Sequence, residues 1–271
     1  MDELLEVASL HELWPFLLAV AVLWLVGVGS LVNFLIRPAA DSLPWKTAAT
    51  RFAVASPWTG VDFLWILGLF CAGQALAWGM PETIWWSVLS FQGILLLGIY
   101  WRARGKPAPF GRTPSFRWAL GQGLGWYLAV LPVIWFTAFA WSLLLVGLDH
   151  SLSFQTAIDL FIEGASPSTR PLLVLFAIGV APLAEELLFR GILLPLLIRR
   201  LGAVAGMVAT SLLFALLHGN LPSALPIFVL SLALSWAYIR TGSLWVSVLM
   251  HALFNAVSLA LLAGLIHFGL V

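Results

Sequence analysis

Residues 13–36 read LWPFLLAVAVLWLVGVGSLVNFLI, a stretch without a single charge. A bilayer core about 30 Å thick takes roughly 20 consecutive apolar residues in a helix. The run from Leu13 to Ile36 is long enough to span, and too long for the apolar segment of a signal peptide. Asp2, Glu3, Glu6 and Glu12 stand ahead of it, where a cleaved signal would carry Lys or Arg. We read it as the first spanning helix.

Working outward, seven further apolar runs follow, at 61–79, 82–101, 118–147, 171–198, 203–218, 222–240 and 243–267. Gly- and Pro-rich breaks at 105–114, 166–171, 219–222 and 241–242 separate several of them. The run at 203–218 is short for a span. Composition agrees: 62% of the 271 residues are hydrophobic and 9% are charged, whereas soluble domains hold roughly 45–50% and about 25%. That excludes a soluble enzyme. The apolar runs are continuous rather than alternating, which argues against a membrane β-barrel. A net charge of +1 offers no electrostatic footprint for nucleic acid. The single cysteine, Cys71, can form no internal disulfide. The expected fold is all-α, a polytopic bundle of about eight transmembrane helices surrounded by membrane lipids.

Charge placement tests that count. With an external N-terminus, the inner loops hold Arg37, Lys46, Arg51, Arg102, Arg104, Lys106, Arg112, Arg117, Arg199, Arg200 and Arg240, eleven of the thirteen basic residues. The outer side holds Arg170 and eight acidic residues. The excess of Lys and Arg on one side predicts an integral multi-pass protein with both termini extracytoplasmic, in the cell membrane if the source is prokaryotic. Between residues 148 and 170, Phe154, Ile158, Phe161 and Ile162 recur at helical spacing, which predicts a short helix lying in the outer interface. Gly121 and Gly125 form a GxxxG pattern of the kind that brings helices close. The fifteen Trp suit interfacial belts and lipid-facing surfaces.

Once the loops are assigned, Glu185, Glu186 and Arg190 remain inside the membrane on the fifth span, joined by His218 on the sixth and His251 on the eighth. An intramembrane charge costs about 2.5–3.5 kcal/mol even on the lenient insertion scale, so such groups persist where they are paired or used. Glu186 and Arg190 stand at i and i+4 and predict an ion pair. Glu185 lies about 100° round the helix and escapes that pair, leaving a carboxylate free for general-base work. Pro182, three residues earlier, frees a backbone carbonyl and bends the helix. His251 and Asn255, also i and i+4, offer an imidazole and an amide on one face; Phe214 stands one turn before His218. The parts suit peptide hydrolysis: Glu185 and His218 hold and deprotonate a water, while His251 and Asn255 donate to the oxyanion.

The segment Glu185-Glu186-Leu187-Leu188-Phe189-Arg190 resembles the EExxxR motif of the CAAX prenyl endopeptidase and bacteriocin-processing (CPBP, or Abi) family of membrane proteases. Phe214–His218 resembles its FxxxH motif and His251–Asn255 its HxxxN motif, in the same order. The resemblance covers about a third of the chain. It implies an endopeptidase core at 166–271 (spans five to eight) beside an unassigned N-terminal part at 1–165 (spans one to four). It also implies a catalytic Glu185 supported by Glu186 and Arg190, a water-binding His218, and an oxyanion pair in His251 and Asn255. The substrate would be a membrane-associated peptide or protein, prenylated if it is of the CAAX type. The family has been described both as metal-independent and as metal-dependent. HExxH is absent, yet two His and a Glu could hold a divalent metal such as zinc. Two other readings stay open at this stage: a proton-coupled transporter with Glu185 and His251 as relay, and a non-catalytic immunity or scaffold protein.

Overall fold

The computed structural model describes residues 10–36, 44–77, 92–151 and 170–269. These residues are helical, with two isolated β-bridges and no strand among them. We number the helices α1 (Leu10–Ile36), α2 (Trp45–Ala55), α3 (Gly60–Ala77), α4 (Ile94–Ala103), α5 (Phe116–Gly147), α6 (Arg170–Leu201), α7 (Ala203–Leu217), α8 (Leu221–Thr241) and α9 (Leu244–His267).

Five of these, α1, α5, α6, α8 and α9, are long and apolar enough to cross a membrane. A sixth span results if α2 and α3, bent 71° from one another, are taken as one broken crossing. Of the eight expected spans, the run at 203–218 is a 15-residue apolar helix, and the run at 82–101 is described only from residue 92 onward. The interfacial helix expected between 148 and 170 lies outside the described residues for most of its length. Large apolar side chains line the outside, among them Trp14, Leu25, Leu64, Phe136, Leu144 and Leu175. A water-soluble monomer rarely exposes so much contiguous apolar surface; lipid is its proper solvent.

The helix ends follow local chemistry. Ser115 caps α5, its Oγ accepting from the Trp118 N–H. Asn220 caps α8 by accepting from the Ser223 N–H at 3.0 Å, with Pro222 in the first turn. Gly242 ends α8 in the left-handed region at φ 65°, and its N–H bonds the Tyr238 carbonyl at 2.8 Å. A Cβ on Gly121 or Gly125 would meet nothing within 4 Å among the described residues. The close approach falls on Gly123, where a Cβ would lie 3.1 Å from Leu249 and 3.2 Å from the Val246 carbonyl of α9.

The helix α2 is the element that hydropathy passed over, because it is too short to span and carries Lys46, Arg51 and Thr50. Its Ala49 and Ala53 are buried one turn apart, and Phe52 meets Tyr238 of α8 edge-on at 4.7 Å. The loops expected on the inner face gather at this end of the bundle. Arg199, near the end of α6, donates to the carbonyls of Ala53, Ser56 and Trp58. The loop after α4 reaches the α8–α9 turn, where the Arg112 N–H bonds the Gly242 carbonyl at 3.2 Å. Trp58 departs from the lipid-facing expectation: it is fully buried, its Nε1 donating to the Pro109 carbonyl at 2.7 Å.

Asp62 anchors this end. Fully buried, it accepts from the Thr59 N–H at 2.9 Å, from Arg102, and from Lys106 Nζ at 2.9 Å. Removing one partner of a buried ion pair strands the charge left behind. Arg102 and Lys106 keep some exposure to water, so Asp62→Ala should lower stability by about 1–3 kcal/mol, read as a reduced midpoint of thermal unfolding in detergent.

Candidate active site

The site is built on α6, which is not a uniform α-helix. Two π-helical stretches, Phe176–Val180 and Leu187–Leu193, flank the α-helical turn Ala181–Glu186. Each wide stretch is followed by a residue and then a proline, Ala181-Pro182 and Leu194-Pro195. The Ala181 N–H reaches back five residues to the Phe176 carbonyl, and the Leu194 N–H likewise to the Phe189 carbonyl. A proline inside a helix has no N–H to give and clashes with the carbonyl four residues back. Widening the turn moves that carbonyl aside. The bend expected at Pro182 is thus taken up as an expanded turn.

In this register the next bond would run from residue 182 to the Ala177 carbonyl, and Pro182 cannot make it. Asn255 of α9 does so instead, Nδ2 donating to Ala177 O at 2.8 Å. An amide nitrogen carries two N–H groups, so one is spent on α6 and one is left.

Glu186 and Arg190 form the expected pair, Nη1 donating to Oε1 at 2.7 Å, and both side chains are fully buried. Arg190 Nη2 donates to Ser231 Oγ at 2.7 Å and to the Ser231 carbonyl at 3.2 Å. The guanidinium also lies over the Phe214 ring, 4.4 Å from its centroid. His251 is buried, and its Nδ1 stands 2.9 Å from Glu186 Oε1. A carboxylate paired with Arg accepts, so Nδ1 carries the proton. The opposite nitrogen, Nε2, faces Glu185 Oε2 at 3.9 Å. That gap is too long for a direct hydrogen bond and short enough for one water to touch both. The Glu185 side chain keeps 22% of its exposure while Glu186 keeps none, so the two adjacent acids differ as their angular offset implies.

His218 terminates α7. Its Nδ1 donates to the Phe214 carbonyl at 2.7 Å, which leaves Nε2 as the acceptor in the neutral ring. Phe214 links the two imidazoles, with ring centroids 4.8 Å from His218 and 5.8 Å from His251. Phe214 thus stands between His218, His251 and Arg190, while Asn255 contacts α6 further back, at Ala177. Arg190 and His251 both bond Glu186, and Glu185 stands 3.9 Å from His251; His218 lies beside Phe214, and Asn255 bonds Ala177. The donor chemistry of Glu185, His218 and His251 would suit zinc. Among the described residues, however, no three His, Cys, Asp or Glu side chains converge closely enough to hold one metal ion, and no step below is routed through one.

Sequence reasoning passed over Ser231. It sits on α8, the helix between the second and third motifs, and a serine in an apolar span gives no signal of its own. The i, i+4 repeat of Ser231 and Ser235, both fully buried, was the one available hint.

Residues 167–257 match the family model of type II CAAX prenyl endopeptidases, Rce1-like. The match covers about a third of the chain, and the family it describes is one of membrane endopeptidases. No curated protein and no solved structure matches the chain.

The ion pair yields a stability prediction. Arg190→Ala leaves Glu186 buried and uncompensated and should cost about 3–5 kcal/mol. Arg190→Lys should recover little, since a point charge cannot bridge Glu186 and Ser231 as a planar fork does. Thermal unfolding of both variants in detergent, followed by intrinsic fluorescence, checks the order.

Proposed function

We propose that this chain is an intramembrane endopeptidase that hydrolyses a peptide bond in a membrane-associated substrate, with a prenylated CAAX peptide as the first candidate. One observation carries the reading: an accessible carboxylate, Glu185, faces an oriented imidazole, His251, across 3.9 Å, while the adjacent Glu186–Arg190 charge pair is sealed off.

The hydrogen bonding supports the following course of reaction. A water held by Glu185, with His218 Nε2 as a second acceptor, loses its proton to the carboxylate as its oxygen attacks the peptide carbonyl. The carbonyl π electrons move to oxygen. The second N–H of Asn255 donates to that oxyanion. His251 Nε2 donates as well when the ring carries both protons, the form in which both nitrogens are donors. The tetrahedral intermediate collapses, the C–N bond breaks, and Glu185 returns the proton to the leaving amine. Glu186 and Arg190 orient His251 and do not exchange protons with substrate. The division into a supporting part at 1–165 and a protease core at 166–271 belongs to this proposal, as does the placement of both termini outside.

The test uses full-length protein in detergent with two internally quenched peptides, one farnesylated on a CAAX cysteine and one unmodified. Wild type should cleave at least the farnesylated peptide. Glu185→Gln should fold normally and lose about 10²–10⁴-fold in kcat. Asn255→Ala should lose activity by a similar order. Equal cleavage by wild type and Glu185→Gln would overturn the assignment, and pH-dependent flux in proteoliposomes without cleavage would favour a transporter.

A further inference from the structure

We propose that Ser231 is a positioning residue for the hydrolytic site, an inference that rests on the proteolytic reading above. It acts through Arg190. The Ser231 hydroxyl and carbonyl take both available contacts of Arg190 Nη2, at 2.7 and 3.2 Å. The guanidinium is planar, so fixing Nη2 fixes the direction of Nη1. Nη1 in turn holds Glu186 Oε1 at 2.7 Å, and the same oxygen receives the His251 Nδ1 proton at 2.9 Å. His251 Nε2 then faces Glu185. Ser231 is thus the far end of a relay of orientation that runs from α8 through α6 to α9.

The hydroxyl is the shorter of the two contacts on Nη2, and the Ser231 carbonyl is the other. Arg190 Nε lacks a hydrogen-bond partner among the described residues, and the guanidinium is otherwise bounded by the Phe214 ring. An aromatic face attracts the cation without specifying rotation about its own axis; the hydroxyl supplies that rotation. Ser235, one turn onward on α8, offers an internal control. It is equally buried, and its Oγ has no partner among the described residues.

Ser231 touches no position where substrate would lie, so its loss should act on turnover rather than on binding. In the farnesylated-peptide assay with full-length protein, Ser231→Ala should lower kcat roughly 10–100-fold, the range typical of residues that orient a functional side chain. KM should stay within about twofold. Ser231→Thr, which keeps the hydroxyl, should restore most of the rate, and Ser235→Ala should resemble wild type. If Ser231→Ala fails to fold, Ser231→Thr against Ser231→Val makes the same comparison at nearly equal volume. Wild-type kcat in the hydroxyl-free variant overturns the proposal while leaving the protease reading intact. So does a loss matched by Ser235→Ala, or a loss confined to the unfolding midpoint. A wild type silent on both peptides overturns the protease reading, and this inference with it.

Discussion

The Glu186–Arg190 ion pair is the constraint on which the C-terminal bundle depends. Two charges without solvent cost several kcal/mol each unless their remaining valences are met. Four helices meet them in part, leaving Glu186 Oε2 and Arg190 Nε without a partner among the described residues. Glu186 and Arg190 come from α6, the aromatic face from Phe214 of α7, the hydroxyl from Ser231 of α8, and the imidazole from His251 of α9. Lipid provides no hydrophobic drive to press apolar helices together, so polar contacts and close packing must choose the arrangement. Any slip of one helix along another by a turn would strand a charge. The pair therefore sets the register of four helices at once, and Glu185 takes its place beside His251 as a consequence.

The N-terminal helices are tied to this core by a second polar system at the basic end. Arg199 of α6 takes three carbonyls from the α2–α3 turn, and Asp62 at the start of α3 gathers Arg102 and Lys106. Phe110, from the loop after α4, packs against Gly191, where a Cβ would come within 2.8 Å of the ring. Gly191 immediately follows Arg190, inside the second wide turn of α6. The loop beyond α4 thus rests on the segment that carries the ion pair, which couples the two halves of the chain through packing at one residue.

What the sequence made legible was what helical periodicity alone can order. Glu186 and Arg190 meet because four residues return to one helix face, and Phe214 meets His218 for the same reason. Glu185 differs from its neighbour because one residue is 100° of rotation. What stayed hidden required partners distant in sequence. Ser231 is 41 residues from Arg190, and nothing in an apolar helix marks which serine faces a cation. Asp62 could be seen at the margin of an apolar run, but its cations lie 40 and 44 residues away. Helix α2 fails any length test for a span. The wide turns of α6 could have been suspected from Pro182 and Pro195, yet a proline equally permits a kink. The choice was made by Asn255, which fills the carbonyl that the wide turn leaves open.

At 15 residues, α7 is too short to cross a hydrocarbon core by itself. Counting 1.5 Å per residue from the basic end of each helix places His218, Glu185 and His251 at unequal levels, about 24, 20 and 14 Å. Fifteen residues make a helix about 22 Å long, less than the roughly 30 Å of a hydrocarbon core. One end of α7 must then stop inside the apolar layer. It is not the first end, since Gly202 follows Arg199 and Arg200, both exposed, and Arg199 is bound into the α2–α3 turn. The end that stops short is the one closed by His218. Irregular backbone at that depth is tolerated only against protein or water, and Gly219-Asn220 provides the turn, with Asn220 capping α8. A helix that ends at His218, rather than a complete span, is what places an imidazole at the Gly219-Asn220 turn beside Phe214.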